Sequence, residues 1–177
     1  PIWHQEIEDI IVLKNNKGTE DNRVRKLDYS IQISKIFYER FIQDGEITLF
    51  SPHDVPGLYD SFGLPGFDDL YVSYEKDPTI KKKTVKAQEL ILDLLKERAE
   101  TGRIYIMNID HCNSHSSFTD KVWMSNLCQE ITLPTEPLQH IDDIAGEIAL
   151  CILSAINVGK IKNIEEIEEL CDLSVRG

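Results

Sequence analysis

Stretches with helical and with extended patterns alternate along this chain of 177 residues, and this alternation restricts the fold more than any other feature. The helical stretches share apolar residues at spacings of three and four: residues 4–14, 25–43, 67–74, 79–100 and the stretch after Asn163. The extended stretches are short apolar runs: residues 46–50, 103–109 and 147–156. Alternating helices and strands predict an α/β architecture with a parallel sheet or a barrel.

Residues 147–156 are apolar almost throughout, which is typical of a strand that is buried on both faces. In the last helix, Cys171 falls on the apolar stripe and is expected in the core. The basic run at residues 81–83 is expected to be the solvated first turn of the helix over 79–100, and not a nucleic-acid patch.

Charge and cysteine content exclude several classes of protein. Nineteen basic against 31 acidic residues give a net charge of −12, which argues against direct DNA binding. No apolar run approaches the ~20 residues that span a bilayer, and the polar first residues argue against a signal peptide. The four cysteines of this long chain favour reduced thiols and a cytoplasmic location: Cys112, Cys128, Cys151 and Cys171.

Residues 125–130 place an amide, a thiol and a carboxylate at alternate positions, namely Asn126, Cys128 and Glu130. In an extended segment, these three side chains share one face and point into one site. A hydrogen-bonding amide, a sulfur and an acid/base group form a candidate catalytic constellation. The competing interpretation is a polar strand face with a small, buried cysteine. A second thiol, Cys151, follows within residues 147–156.

A metal site is the alternative for residues 110–115, which hold two histidines and a cysteine. With Cys128 or Cys151, they could supply four zinc ligands. Their spacing matches no common zinc module, and the chain has no Cys-x-x-Cys. The other interpretation of this segment is a turn whose His and Asn side chains satisfy backbone groups.

Motifs in matching order and spacing across the whole chain resemble the large, catalytic subunit of class I (aerobic) ribonucleoside-diphosphate reductase. The resemblance is strongest to the versions of T-even-like bacteriophages. It is carried by residues 1–4, 12–16, 22–25, 49–60, 97–99, 101–105, 110–113, 125–128, 130–131, 133–135 and 146–151. Such a set is far more specific than any single short motif.

The resemblance implies that residues 1–177 are one fragment of a ten-stranded α/β barrel, including the finger loop that carries the radical cysteine. Cys128 matches that cysteine, which becomes a thiyl radical and removes the 3′-hydrogen of the ribose. Glu130 matches the carboxylate that takes the proton of the 3′-hydroxyl, and Asn126 the amide that hydrogen-bonds the substrate hydroxyls. Cys151 matches one of the two thiols that reduce the 2′ position and end as a disulfide.

The resemblance also implies partners. The substrate is a ribonucleoside diphosphate, and the external reductant is thioredoxin or glutaredoxin. No cofactor is expected on this chain, because the di-metal/radical cofactor belongs to the small subunit. Activity is expected only together with that subunit and the remaining large-subunit fragments, in the cytoplasm, or in the host cytoplasm if the chain is phage-encoded. The alternative is a non-catalytic interaction or zinc-binding module that retains this segment of the fold.

Overall fold

A computed structural model describes residues 1–15, 17–19, 21, 23–24 and 26–176. The chain divides into two compact units, residues 1–147 and 148–177. The first unit holds, in order, α1 (Ile7–Ile11), β1 (Tyr29–Ile33), α2 (Lys35–Ile42), β2 (Glu46–Phe50), α3 (Leu58–Ser61), α4 (Phe67–Lys76), β3 (Lys82–Lys86), α5 (Ala87–Thr101), β4 (Ile104–Asn108) and α6 (Ile109–Ser114). The second unit holds a 3-10 turn, Val158–Lys160, and α7 (Glu166–Arg176). Helices and strands alternate as the sequence predicts.

The strands of the first unit form two pairs. β1 and β4 are parallel, with Tyr29 opposite Ile104 and Ile33 opposite Asn108. β2 and β3 are antiparallel. The parallel pair joins segments about seventy residues apart and places α6 directly after the end of β4.

Aromatic rings fill the centre of the first unit. Phe37 of α2 meets Tyr71 of α4 edge to face, with ring centroids 5.2 Å apart. Trp3 packs edge to face on Phe62 at 5.9 Å. Such pairs add to the stabilisation that burying large apolar side chains supplies. The helices and strands that surround the candidate site are therefore tied to one common core.

The prediction of a single helix over residues 25–43 is wrong. Residues 29–33 form strand β1, and α2 begins only at Lys35; Arg25 lies outside the described residues. In β1, buried Ile31 and Ile33 alternate with half-buried Ser30 and Gln32, which is the period of a strand. Pairing with β4 decides between this period and the helical one.

The helix predicted over residues 79–100 begins later, at Ala87. In the basic run, Lys82 and Lys83 lie on strand β3, and Lys81 directly precedes it. The ammonium of Lys82 donates to the carbonyl oxygens of Glu75 at 2.7 Å and Asp77 at 2.6 Å, at the end of α4. A cation is favourable there because the last carbonyls of a helix lack partners. Lys82 therefore caps α4, and the run is not the solvated first turn of α5.

The strand predicted over residues 147–156 is not formed. Glu147 makes one isolated bridge with Glu136, and residues 148–157 have no regular structure. Leu150 and Ile152 are more than four-fifths exposed. A strand needs a neighbour to satisfy its backbone groups, and among the described residues only Glu147 has one.

Cys171 is exposed, so its predicted place in the core is wrong. It lies on α7, whose apolar residues Ile167 and Val175 are also exposed. The second unit contains one helix and one 3-10 turn in its described residues. Burying an apolar stripe requires at least a second packed layer, and one helix does not supply it.

Candidate functional site

Residues 126–131, which we call the cysteine turn, carry the three clustered candidate residues. The Gln129 N–H donates to the Asn126 carbonyl at 3.2 Å, and the Ile131 N–H donates to Asn126 Oδ1 at 3.0 Å. The Ser125 hydroxyl lies 2.7 Å from the Ile131 carbonyl oxygen. The segment is therefore a closed turn, and the extended segment with one shared polar face is wrong.

Gln129 produces the change of direction directly after Cys128. Its φ is +70°, a left-handed conformation that costs a non-glycine residue about 1 kcal/mol. Its side-chain Nε2 donates back to the carbonyl oxygens of Asn126 at 3.0 Å and Leu127 at 3.3 Å. These two bonds offset the strain, so Gln129 holds the turn with its own side chain.

The thiol of Cys128 and the carboxylate of Glu130 are exposed on the cysteine turn, and Asn126 is half-buried. The side-chain oxygen of Asn126 serves the turn, whereas its Nδ2 donates no hydrogen bond to any described residue. The turn therefore presents a thiol, a carboxylate and a free amide donor together. Cys151 lies in the second unit, where its thiol is exposed and not in a disulfide.

The segment before the turn is fastened at three consecutive residues. Lys121 donates to the carbonyl oxygens of Tyr59 at 3.1 Å and Asp60 at 2.9 Å, and its ammonium lies 3.8 Å from the centre of the Trp123 ring. Burial lowers the pKa of Lys121 to about 8, against the opposing effect of Asp60. Val122 is fully buried. The Trp123 carbonyl accepts a bond from Gln32 at 2.6 Å.

A cleft of about 330 Å³ lies beside the turn, between the end of β4, α6 and the side chains of Gln129 and Thr132. Cys112 of α6 lines it and is half-buried. Burial, together with the Asp110 carboxylate, raises the pKa of the Cys112 thiol. Because a thiolate is the reactive form of cysteine, the raised pKa makes Cys112 less reactive than an ordinary cysteine.

The residues considered for zinc do not form a site. The rings of His111 and His115 are 5.5 Å apart. Within the described part of the chain, no three His, Cys, Asp or Glu side chains converge to hold a metal. Residues 110–114 lie in helix α6, so the predicted turn is wrong. The predicted satisfaction of backbone groups is confirmed for Asn113, which bonds to the backbone of Ile109 and Val122.

Sequence patterns miss Gln32, because its partner, the Trp123 carbonyl, lies 91 positions away in the chain. Gln129 carries no sequence signal either, since glutamine has no preference for a left-handed conformation. Among the described helices, none is both long and apolar enough to cross a membrane.

The whole chain, residues 1–177, matches the family model for the ribonucleotide reductase barrel domain. Ribonucleoside-diphosphate reductase subunit alpha of Haemophilus influenzae is 61% identical over 181 residues, covering 99% of this chain and 24% of that protein. Ribonucleoside-diphosphate reductase 1 subunit alpha of Escherichia coli is 56% identical over 143 residues, covering 78% of this chain and 19% of that protein. The subunit alpha of enterobacteria phage T4 is 44% identical over 184 residues, covering 99% of this chain and 24% of that protein.

The chain thus spans about a quarter of the length of the curated relatives it matches. The resemblance to a class I large subunit is confirmed at the level of the barrel fragment. The phage relative is less similar than the Haemophilus one. The T-even-like type therefore stays a prediction.

Proposed function

Because this chain belongs to the barrel-domain family of ribonucleotide reductases, we propose that it forms part of the catalytic barrel of a ribonucleoside-diphosphate reductase. The reaction converts ribonucleoside diphosphates to deoxyribonucleoside diphosphates. The observation that carries the proposal is the closed cysteine turn, in which Cys128 is exposed between a free amide donor and a carboxylate. We place residues 1–177 in one barrel domain.

Cys128 acts on the ribose in this proposal. Its thiyl radical removes the 3′-hydrogen, so that an S–H bond forms, the C3′–H bond breaks and the unpaired electron moves to C3′. We place the source of the radical, a di-metal cofactor, on the small subunit. The exposed position of Cys128 at the tip of a turn supports this role, since a buried thiol would not reach a substrate.

Glu130 and Asn126 handle the hydroxyl groups. Glu130 accepts the proton of the 3′-hydroxyl, which eases the departure of the 2′-hydroxyl as water. Asn126 has Nδ2 available to donate to a substrate hydroxyl, because only its oxygen is used by the turn. Both side chains lie within two residues of Cys128, which supports their action on one sugar ring.

Cys151 supplies reducing equivalents. Together with a second thiol from elsewhere in the assembly, it gives two electrons and two hydrogens and ends as a disulfide. A thiol reductant such as thioredoxin or glutaredoxin restores the pair by exchange. An exposed Cys151 that is free of any disulfide suits this role.

The proposed assembly contains the remaining segments of the large subunit and the small subunit. Exposed apolar side chains in each unit support this proposal, because other segments of the assembly could bury them. They are Ile141 and Ile144 in the first unit, and Leu150 and Ile152 in the second. Soluble proteins rarely leave large contiguous apolar patches uncovered. Additional protein segments that cover these side chains would also provide the missing strand neighbours.

The test compares Cys128→Ser with Cys171→Ser in the assembled reductase. Both residues are exposed, so both variants are expected to assemble, as checked by native mass spectrometry. Deoxyribonucleoside diphosphate formation is expected to disappear in Cys128→Ser and to persist in Cys171→Ser. Product formation by Cys128→Ser at the wild-type rate would rule out the proposed radical role and favour a non-catalytic module.

A further inference from the structure

We propose that Asn113 is a positioning residue that holds the segment carrying Cys128, an inference that rests on the proposed function. Asn113 lies in α6, outside the cysteine turn. Val122, to whose backbone it binds, lies nine positions later in the chain. Within the described residues, its side-chain hydrogen bonds go to backbone groups and not to the three candidate catalytic side chains, so it acts through the backbone.

Both ends of the Asn113 amide bind one residue. The Val122 N–H donates to Asn113 Oδ1 at 2.8 Å, and Asn113 Nδ2 donates to the Val122 carbonyl at 3.1 Å. Nδ2 also donates to the Ile109 carbonyl at 2.9 Å, within its own helix. The amide thus occupies both backbone groups of Val122 as a neighbouring strand would, which fixes the position and the orientation of that residue.

The Asn113 side chain is itself held by close packing. A Cβ placed on Gly63 would lie 3.1 Å from Asn113 Nδ2 and 2.7 Å from a side-chain carbon of Ile109. Gly63 therefore permits α6 to approach the turn after α3 closely. The amide has little freedom to leave Val122 once the first unit is packed.

The contact between Asn113 and Val122 matters for catalysis because of where Val122 lies in the chain. Val122 is fully buried and lies six residues before Cys128, at the start of the segment that enters the cysteine turn. The turn is closed mainly by bonds within residues 125–131. Its placement on the first unit thus depends on the anchored residues before it, and Val122 is held at both backbone groups. A misplacement of about 1 Å at a reacting atom can lower a rate about a hundredfold.

The first measurement is amide hydrogen exchange on the full 177-residue chain. Asn113→Ala removes the acceptor of the Val122 N–H, and exchange there is expected to rise about tenfold. Asn113→Asp has the same size and keeps that acceptor but loses both bonds that Nδ2 donates. Exchange at Val122 in this variant should therefore be faster than in the wild type and slower than in Asn113→Ala. Ser114→Ala, on the same helix and exposed, is the matched control and should exchange as the wild type does.

The second measurement is the steady-state rate of the assembled reductase. Asn113→Asp is expected to lower kcat about tenfold or more with KM for the nucleoside diphosphate little changed, because the thiol is displaced while substrate contacts elsewhere remain. A residue with only a structural role would lower the amount of folded enzyme and leave kcat per folded molecule unchanged.

The two measurements separate this inference from the proposed function. Exchange does not require turnover, so it reports on the anchor even if the wild-type assembly reduces no nucleotide. If exchange at Val122 in both Asn113 variants matches Ser114→Ala, the positioning role is excluded. Increased exchange with wild-type kcat would also exclude it, and would leave Asn113 as a packing residue.

Discussion

Asn126 Oδ1 accepts the backbone N–H of Ile131 at 3.0 Å, across the turn that carries Cys128. The same oxygen lies 3.0 Å from the Ser125 hydroxyl, whereas Nδ2 has no partner among the described residues. One half of this amide closes the turn, and the other half remains free to meet a substrate. Substitutions that change only one half can therefore separate the two roles.

Asn126→Ala and Asn126→Asp are expected to differ in the turn and to agree in activity. Alanine removes the acceptor, so local opening at the Ile131 amide should become easier by about 1 kcal/mol. Aspartate keeps the acceptor and loses the Nδ2 donor, so the Ile131 amide should stay protected while nucleotide reduction falls in both variants. Hydrogen exchange and product formation check this. Equal exchange at Ile131 in both variants would show that Oδ1 does not close the turn.

Gly63→Ala is expected to destabilise the chain more than Gly57→Ala. Both glycines have a left-handed backbone, with φ of +82° and +76°, so both variants lose about 1 kcal/mol. Only at Gly63 would the new Cβ meet Ile109 at 2.7 Å, whereas nothing lies within 4 Å at Gly57. Overpacking should add roughly 2 kcal/mol at Gly63.

Urea denaturation, followed by the fluorescence of Trp3 and Trp123, measures both free energies of unfolding. Equal losses for the two glycine variants would mean that α6 moves away at no cost.

Lys121 is expected to make stability rise with pH between about 8 and 10. Burial lowers its pKa to about 8, so above that pH the folded state holds fewer protons than the unfolded state. The free energy of unfolding then increases with pH, because the unfolded state binds more protons than the folded state in this range. The physical cause is that burial disfavours the charged form of Lys121 in the folded state. Lys121→Met should remove this part of the slope. Urea midpoints at several pH values provide the measurement, and an identical slope in both proteins would contradict the assignment.

Glu75→Gln is expected to lower the free energy of unfolding by about 2 kcal/mol. Its carboxylate binds both terminal nitrogens of Arg40 at 2.5 Å and accepts the Thr48 hydroxyl at 2.7 Å, with less than a fifth of either charged side chain exposed.

The matched control for this pair is Glu46→Gln, since Glu46 meets Lys86 at 3.5 Å with about half of each side chain exposed. Exposed ion pairs contribute little, so its effect should stay within about 0.5 kcal/mol. Denaturation curves of the two variants that coincide would place the Arg40 pair among the weak surface contacts.

Local patterns predict those elements whose own residues carry a clear signal of their type. Strands β2 and β4 lie where short apolar runs place them. Helix α5 ends at Thr101, one residue beyond the predicted end. Gly102 follows it with a φ of +69°, and its N–H bonds to the Arg98 carbonyl at 2.8 Å. A left-handed residue ends a helix through bonds within one turn, so the signal is local.

The prediction of secondary structure fails where a partner distant in the chain decides whether a segment becomes a strand. Ile31 pairs with Ile106 across 75 positions, and this pairing overrides the helical spacing of residues 25–43. The lysines of β3 carry no strand pattern and are placed by pairing with β2. Residues 148–157 have the apolar pattern of a strand but no strand neighbour among the described residues, so the pattern is not realised.

The sequence by itself determined the α/β class, the family and the identity of Asn126, Cys128, Glu130 and Cys151 as candidates, because these depend on residue types and their order. The tertiary structure alone decided that the three clustered residues lie on a closed turn and not on a strand face. The left-handed Gln129 and the amide of Asn113 set this geometry through side-chain bonds to backbone groups. The Asn113 bonds form only after the chain brings α6 and Val122 together, and no local pattern encodes that approach. The Gln129 bonds are local, but glutamine has no preference for the left-handed conformation that permits them.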